Sequence, residues 1–321
     1  MKKKSKSAVY FSIALSGLLI LFVLRKIDFN ELAEVSGSLS LLTFLIIILT
    51  SFFMNFFSAL TLKYLLITQQ VFISFKSMLY LSFIRGFYSF ALPSTLGGYI
   101  YLAYFFGKKC NSYVQSTFTI VLMRLMGVFS YLILLIISLV FSRWAILEKL
   151  GEIALTYDSD PVIYGSIGIS IVIVIFLIVR KTKAGNIIKK AADKIVISIK
   201  AMIDAKPKLF VSWLFKSIAI FVALTANLLI ARLIGIELDL MTLSSIILIV
   251  DLILLLPISI SGIGIRDVSY IGLLGLFDIQ IEQAVLLSFA GLAINLVTII
   301  IGGTLLLGKN AQMLRKTKQT S

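Results

Sequence analysis

Histidine is absent from the 321 residues, Cys110 is the single cysteine, and proline occurs only four times. No disulfide forms within such a chain. A His/Cys metal cluster and imidazole acid–base chemistry have no residues to use, so neither metal nor cofactor is expected. Charge is also scarce, at 14% of residues, and unbalanced: 15 acids stand against 30 basic residues, a net +15. What fills the chain instead is apolar, 60% of residues with a mean hydropathy of +1.06. A soluble globule has no way to hide that much apolar surface, and disorder needs the opposite composition. No P-loop, dinucleotide fingerprint or helical metalloprotease motif is present.

Crossing ~30 Å of hydrocarbon takes about 20 apolar residues in a helix, whose backbone satisfies its own hydrogen bonds. Six runs meet that demand: Ala8–Leu24, Leu39–Leu62, Gln115–Phe141, Val162–Val179, Leu209–Ala231 and Ala284–Leu307. The first follows MKKKSK like a signal peptide, but Arg25 and Lys26 follow it and no small-residue cleavage site is present, so a retained span is expected. Two further regions are apolar but broken. Met78–Leu92 stops at Pro93 and resumes at Tyr99–Phe106; Thr242–Leu256 stops at Pro257 and resumes at Val268–Phe277. Arms of 15 residues reach only about 22 Å, and Pro and Gly end the helix there. Both regions read as re-entrant hairpins.

Basic residues collect on the cytoplasmic side of a membrane. With the N-terminus inside and both hairpins returning to the face they enter, the inside segments are 1–7, 63–77, 107–114, 180–208 and 308–321. They hold 21 basic residues and 2 acids, whereas the outside segments 25–38, 142–161, 232–241 and 278–283 hold 5 and 11. The basic excess is thus an orientation signal and not a nucleic-acid footprint. The linker 180–208 alternates Lys with Ile, Ala and Val, which fits an interfacial helix or a solvated loop.

The expected fold is therefore an all-α integral membrane protein, about six full spans plus two re-entrant hairpins in an inverted repeat. Residues 1–141 form the first half, with its hairpin near 78–106, and 142–161 an extracytoplasmic loop. Residues 162–307 form the second, inverted half, with its hairpin near 242–277 and the basic cytoplasmic linker 180–208. Residues 308–321 are a basic cytoplasmic tail. Asn55 and Asn227 occupy similar depths in the second and fifth spans. Breaks at corresponding positions of two inverted halves point to a transporter's binding site.

Six charged residues remain in apolar segments: Arg85, Arg124, Lys216, Arg266, Asp251 and Asp267. Each needs a partner or a cavity. Lys216, two turns into its span, is expected to snorkel to the cytoplasm. Asp251 and Asp267 either pair with two of the three arginines or carry a coupling proton. One positive charge is then left over, and Arg's planar fork suits a phosphate. The hairpin tips add a second kind of anion ligand. Gly97 and Gly98, and Gly262 and Gly264, precede outgoing half-helices whose free N–H groups attract anions. Ser94, Thr95, Ser259 and Ser261 add hydroxyl donors or cap those helices. Gly302-Gly303 suits close helix packing.

Pro257-Ile258-Ser259, Gly262, Gly264, Arg266 and Asp267 resemble the P-x-S-x-x-G-x-G-x-R-[ED] pattern of the flippase-like membrane domain of bacterial lysylphosphatidylglycerol synthases. Pro93 with Gly97-Gly98 is similar to that family's P-x-x-x-G-G element, and Arg124 to the arginine of its E-R-x-x-[GD] stretch. Met123 stands in place of the acid, and Tyr99, Ile100 and Tyr101 in place of the polar residue after Gly-Gly. The resemblance implies a stand-alone form without the soluble synthase domain: a multi-pass protein of the cytoplasmic membrane, both termini inside, that translocates lipid and is not an enzyme.

The functional expectation is a flippase for an anionic phospholipid or lipid-linked phosphate. Arg124, Arg266, Arg85, Gly97, Gly98, Ser259, Ser261, Gly262 and Gly264 are the candidate ligands, with Asp251 and Asp267 in ion pairing or proton coupling. Membrane lipids surround it, nucleic acid is not a partner, and a second copy or envelope-biosynthesis proteins are the protein partners open to it. The alternatives are a membrane-embedded transferase on a polyprenyl phosphate, with Asp251 or Asp267 catalytic, and a non-transporting accessory subunit.

Overall fold

The computed structural model describes residues 41–91, 97–109, 112–149, 205–255, 262 and 264–307. The first and fourth expected spans, residues 180–204 of the linker, both tip prolines, Ser94, Thr95, Ser259, Ser261, Cys110 and the tail lie outside them.

The helices are α1 (Leu41–Thr68), α2 (Phe75–Ala91), α3 (Gly97–Lys109), α4 (Tyr113–Phe141), α5 (Lys206–Leu233), α6 (Leu240–Leu254), α7 (Ile265–Gly275) and α8 (Ile281–Leu307). Among the described residues, α1, α4, α5 and α8 are long and apolar enough to cross a membrane. They coincide with four of the expected spans. Each outruns its apolar run at one end or both because a helix continues its hydrogen-bond ladder into the interface, where polar side chains are tolerated. The other four helices are the expected hairpin arms. At 17, 13, 15 and 11 residues, they rise only about 16–26 Å.

Local chemistry sets where several helices begin. The Ser112 side chain accepts from the Gln115 N–H at the start of α4, and Asp239 accepts from the Met241 and Thr242 N–H groups at the start of α6. Pro207 sits in the first turn of α5, where its missing N–H costs nothing. At α7 the cap is Gly264, whose φ of +83° is open to glycine; Asp267 reaches back to accept its N–H.

The bundle exposes large apolar side chains and buries small polar ones among its apolar cores. Leu41, Phe44, Phe129, Ile136 and Ile300 are exposed, while Ser51, Thr61, Ser82, Ser212, Ser245 and Ser288 are buried. Lipid leaves apolar side chains stable on the outside, and small residues and interhelical hydrogen bonds add to the contacts within. Ser51 and Thr298 join α1 to α8 at 2.8 Å. Ser130 and Ser217 join α4 to α5, and Ser245 and Ser138 join α6 to α4, both at 2.8 Å. The Ser212 hydroxyl donates to the Thr61 carbonyl, tying α5 to α1. Gly302 packs as expected: a Cβ there would lie 2.3 Å from the Phe83 carbonyl oxygen of α2.

The packing has a pattern. Exchanging α1 with α5, α2 with α6, α3 with α7 and α4 with α8 maps every substantial helix pairing onto another. The α2–α8 pairing becomes α6–α4, α3–α4 becomes α7–α8, and the α1–α5 pairing maps onto itself. Two apolar cores follow the same division. One gathers Leu62, Leu66, Met78, Leu81, Leu102, Phe106 and Met123 of α1–α4. The other is built chiefly from α5–α8, including Ile230, Ile247, Leu248, Leu274 and Leu287.

Candidate functional site

Between these cores lies a cavity of about 410 Å³. All four basic residues of the apolar segments line it: Arg85 from α2, Arg124 from α4, Lys216 from α5 and Arg266 from α7. Their depth is central, since Lys216 is ten residues into α5 and Arg124 eleven into α4, about 15–17 Å along each axis. On the described surface the cavity's rim carries Phe90, Asn295 and Leu296, all exposed.

Tyr99, at the start of α3, organises two of the cations. Arg85 Nη1 donates to its hydroxyl at 3.1 Å, and the guanidinium carbons of Arg85 and Arg124 lie 5.2 and 5.1 Å from its ring centre. An electron-rich ring thus stands between two like charges. Arg124 Nη2 also donates to the Leu255 carbonyl at 3.1 Å. That oxygen belongs to the C-terminal end of α6, where orphan carbonyls and the helix dipole favour a cation.

Arg266 is held differently. It is 8% exposed, and its Nη1 has no hydrogen-bond partner. Glycines make the room: a Cβ on Gly262 would come within 3.3 Å of Nη2, and one on Gly291 within 3.4 Å of Nη1. The charge of Asp251 reaches Arg266, and the Tyr131 hydroxyl faces the Asp251 carboxylate.

Lys216 corrects one expectation: it does not snorkel to the cytoplasmic surface. Its side chain crosses toward α4, where Gly127 leaves the space; a Cβ on Gly127 would lie 2.9 Å from Lys216 Cε. The charged groups that influence it are Arg85 and Arg124, with Tyr99 beside them. No hydrogen bond ties its ammonium to another described residue. Tyr99, Asn295 and Thr298 also line the cavity and were not singled out as ligands from sequence. A signal for Lys216 and Asn295 existed, since both are strongly polar residues near mid-length of a spanning helix.

The two acids separate. Asp267 is consumed by structure: one carboxylate oxygen accepts the Gly264 N–H at 3.0 Å and the other the Ser288 hydroxyl at 2.5 Å. It pairs with no arginine among the described residues. Asp251 is the acid whose charge reaches a cavity cation, so three cations, Arg85, Arg124 and Lys216, have no acid beside them among the described residues, where the sequence had suggested one unpaired arginine. The glycines separate as well. Gly262 is on the cavity wall, whereas Gly264 caps α7. Gly97 and Gly98 are buried away from the wall, and a Cβ on Gly98 would lie 2.1 Å from the Arg85 carbonyl oxygen. Its role there is close approach of the two arms. Ser259 and Ser261 lie outside the described residues.

Asn55 is a structural hub on the same wall. It donates to the Ser51 carbonyl and the Thr298 hydroxyl, and accepts from Ser82. Asn227, its counterpart by depth, donates to the Ala223 carbonyl of its own helix and is not on the wall.

No curated protein and no solved structure matches the chain. The family model of the lysylphosphatidylglycerol synthase TM region does, over residues 9–303, a stretch that holds both apolar cores and all four cavity cations. An all-helical, multi-pass membrane architecture with that match means that this chain belongs to the lysylphosphatidylglycerol synthase TM region family.

Proposed function

We propose that the protein is a flippase that moves an anionic phospholipid or lipid-linked phosphate headgroup across the cytoplasmic membrane, and is not an enzyme. The observation that carries this reading is the gathering of four cations from both sequence halves in one central cavity. A basic residue at mid-membrane costs ~2.5–3.5 kcal/mol by insertion scales. Four in one cavity with one offsetting acid make a site for an anion in transit. The exchange symmetry of the helix pairings among the described residues supports a repeat of two related halves, and the proposed topology is six spans and two hairpins with both termini inside. Apolar cores above and below the cavity are the parts that must separate in turn for the headgroup to enter from one leaflet and leave to the other. A transferase reading is weaker because Asp267 is fully engaged as a helix cap.

Purified protein in proteoliposomes should accelerate translocation of a fluorescent anionic lipid over empty vesicles. Arg266→Gln should cut the rate about tenfold to a hundredfold, the value of one or two hydrogen bonds to a charged group. No acceleration for any anionic lipid tested would sink the flippase reading. For topology, single cysteines replacing Lys108 and Asp278 in a Cys110→Ser background should label from opposite faces. Labelling from the same face would reject the double hairpin.

A further inference from the structure

The cations of the cavity are not evenly compensated. Arg266 lies within reach of the Asp251 charge. Arg85, Arg124 and Lys216 instead surround Tyr99, and the charges acting on that ring and on Lys216 are one another's. Their hydrogen bonds go to neutral oxygens, the Tyr99 hydroxyl and the Leu255 carbonyl. Arg85 Nε is buried without a partner, and so is Arg266 Nη1 across the cavity. Lys216 sits one turn from Arg124 across the α4–α5 contact, since Gly127 is three residues on from Arg124.

Three cations with no acid beside them among the described residues set the charge of the ligand that best fills the cavity. A phosphodiester headgroup brings one negative charge and leaves two cations unpaired in a poorly solvated space. A phosphomonoester brings about two charges, and a diphosphate about as many or more. Only these approach neutrality, and they carry enough oxygens to take the free Arg85 Nε, Arg266 Nη1 and Lys216 donors together.

We propose that Arg85, Arg124 and Lys216 form a site for a multiply charged phosphate, a phosphomonoester or diphosphate group, in preference to a singly charged phosphodiester. This rests on the reading of the cavity as the substrate site and names the substrate's charge class. Lys216 is the residue that sets the preference, because it adds the third charge with no acid beside it among the described residues.

The test is binding to the full chain in phosphatidylcholine nanodiscs. The probes are dilauroyl phosphatidic acid, dilauroyl phosphatidylglycerol, farnesyl diphosphate and inorganic diphosphate. Phosphatidic acid and farnesyl diphosphate should bind about tenfold or more tighter than phosphatidylglycerol, which shares the first probe's acyl chains. Lys216→Gln should reduce that preference to about threefold or less, and Lys216→Arg should retain it. Equal affinity for phosphatidic acid and phosphatidylglycerol would overturn the proposal, as would an unchanged preference in Lys216→Gln. Tight binding of inorganic diphosphate, matching farnesyl diphosphate, would support the charge class and assign the free anion as its source; weak binding would assign the lipid. Retained charge preference without translocation in proteoliposomes would defeat the flippase reading alone. Translocation without charge preference would defeat this proposal alone.

Discussion

The two apolar cores close the cavity from opposite ends, and they are unequal. Among the described residues, the core at the end that the charge pattern assigns to the cytoplasm has ten buried residues, and the one at the other end has nineteen. The smaller draws on the C-terminal part of α1, the start of α2, the end of α3 and the start of α4. The larger takes the end of α5, nearly all of α6, the end of α7 and the first half of α8, with Ile47 and Ile146 added. Less buried apolar contact means a lower cost of local opening. Among the described residues the two ends of the cavity are thus closed by unequal amounts of apolar contact.

The glycines of the short helices α3 and α7 give the largest test, and here the first pair of short helices has the tighter contact. Gly98→Val drives a side chain into the Arg85 carbonyl of the facing arm. It should cost about 3 kcal/mol or more and show as a large loss of thermal stability in detergent. Gly272→Ala, in the outgoing arm of the second hairpin, meets nothing within 4 Å. It should be neutral or gain up to about 1 kcal/mol in the same assay, because alanine favours the helix. Equal losses would erase the distinction between the hairpins.

Core truncation comes next. Phe106→Ala in the smaller core should cost about 3–5 kcal/mol, and Leu287→Ala in the larger about 2–5 kcal/mol. Hydrogen exchange sharpens the contrast. In the unmodified protein, the amides of α3 and early α4 should exchange before those of α6 and early α8. The reverse order would show that the larger core opens first. The smallest effect is expected at a single interhelical hydrogen bond. Ser245→Ala removes the contact with Ser138 and should lower stability by about 0.6 kcal/mol, the average for such bonds in membranes.

Much of this fold was legible in the sequence. Span positions follow from the fixed thickness of hydrocarbon, so Leu209–Ala231 became Lys206–Leu233 with only its ends extended. The short helices α2, α3, α6 and α7 fall where the apolar runs are too short to cross. The site was legible in part. Intramembrane charge identified Arg85, Arg124 and Arg266, which converge on one cavity. Which face of a helix a side chain occupies relative to its neighbours was not legible. Lys216 is as close to the cytoplasmic end as a snorkelling lysine, and only Gly127 on another helix decides that it turns inward. Asp267 had the sequence neighbours of an arginine partner, yet the Gly264 N–H and Ser288 take both of its oxygens.

The sequence by itself determined the solvent and the positions of the long apolar helices. Those follow from a one-dimensional property, apolar run length against bilayer thickness. Tertiary structure alone decided which cations remain uncompensated. Pairing depends on distances between residues far apart in the chain, and in a low-dielectric interior a few ångströms separate a neutralised charge from a free one. The net +15 with which the chain began thus lies mostly in the segments between the apolar runs, while at the centre Arg85, Arg124 and Lys216 have no acid beside them among the described residues.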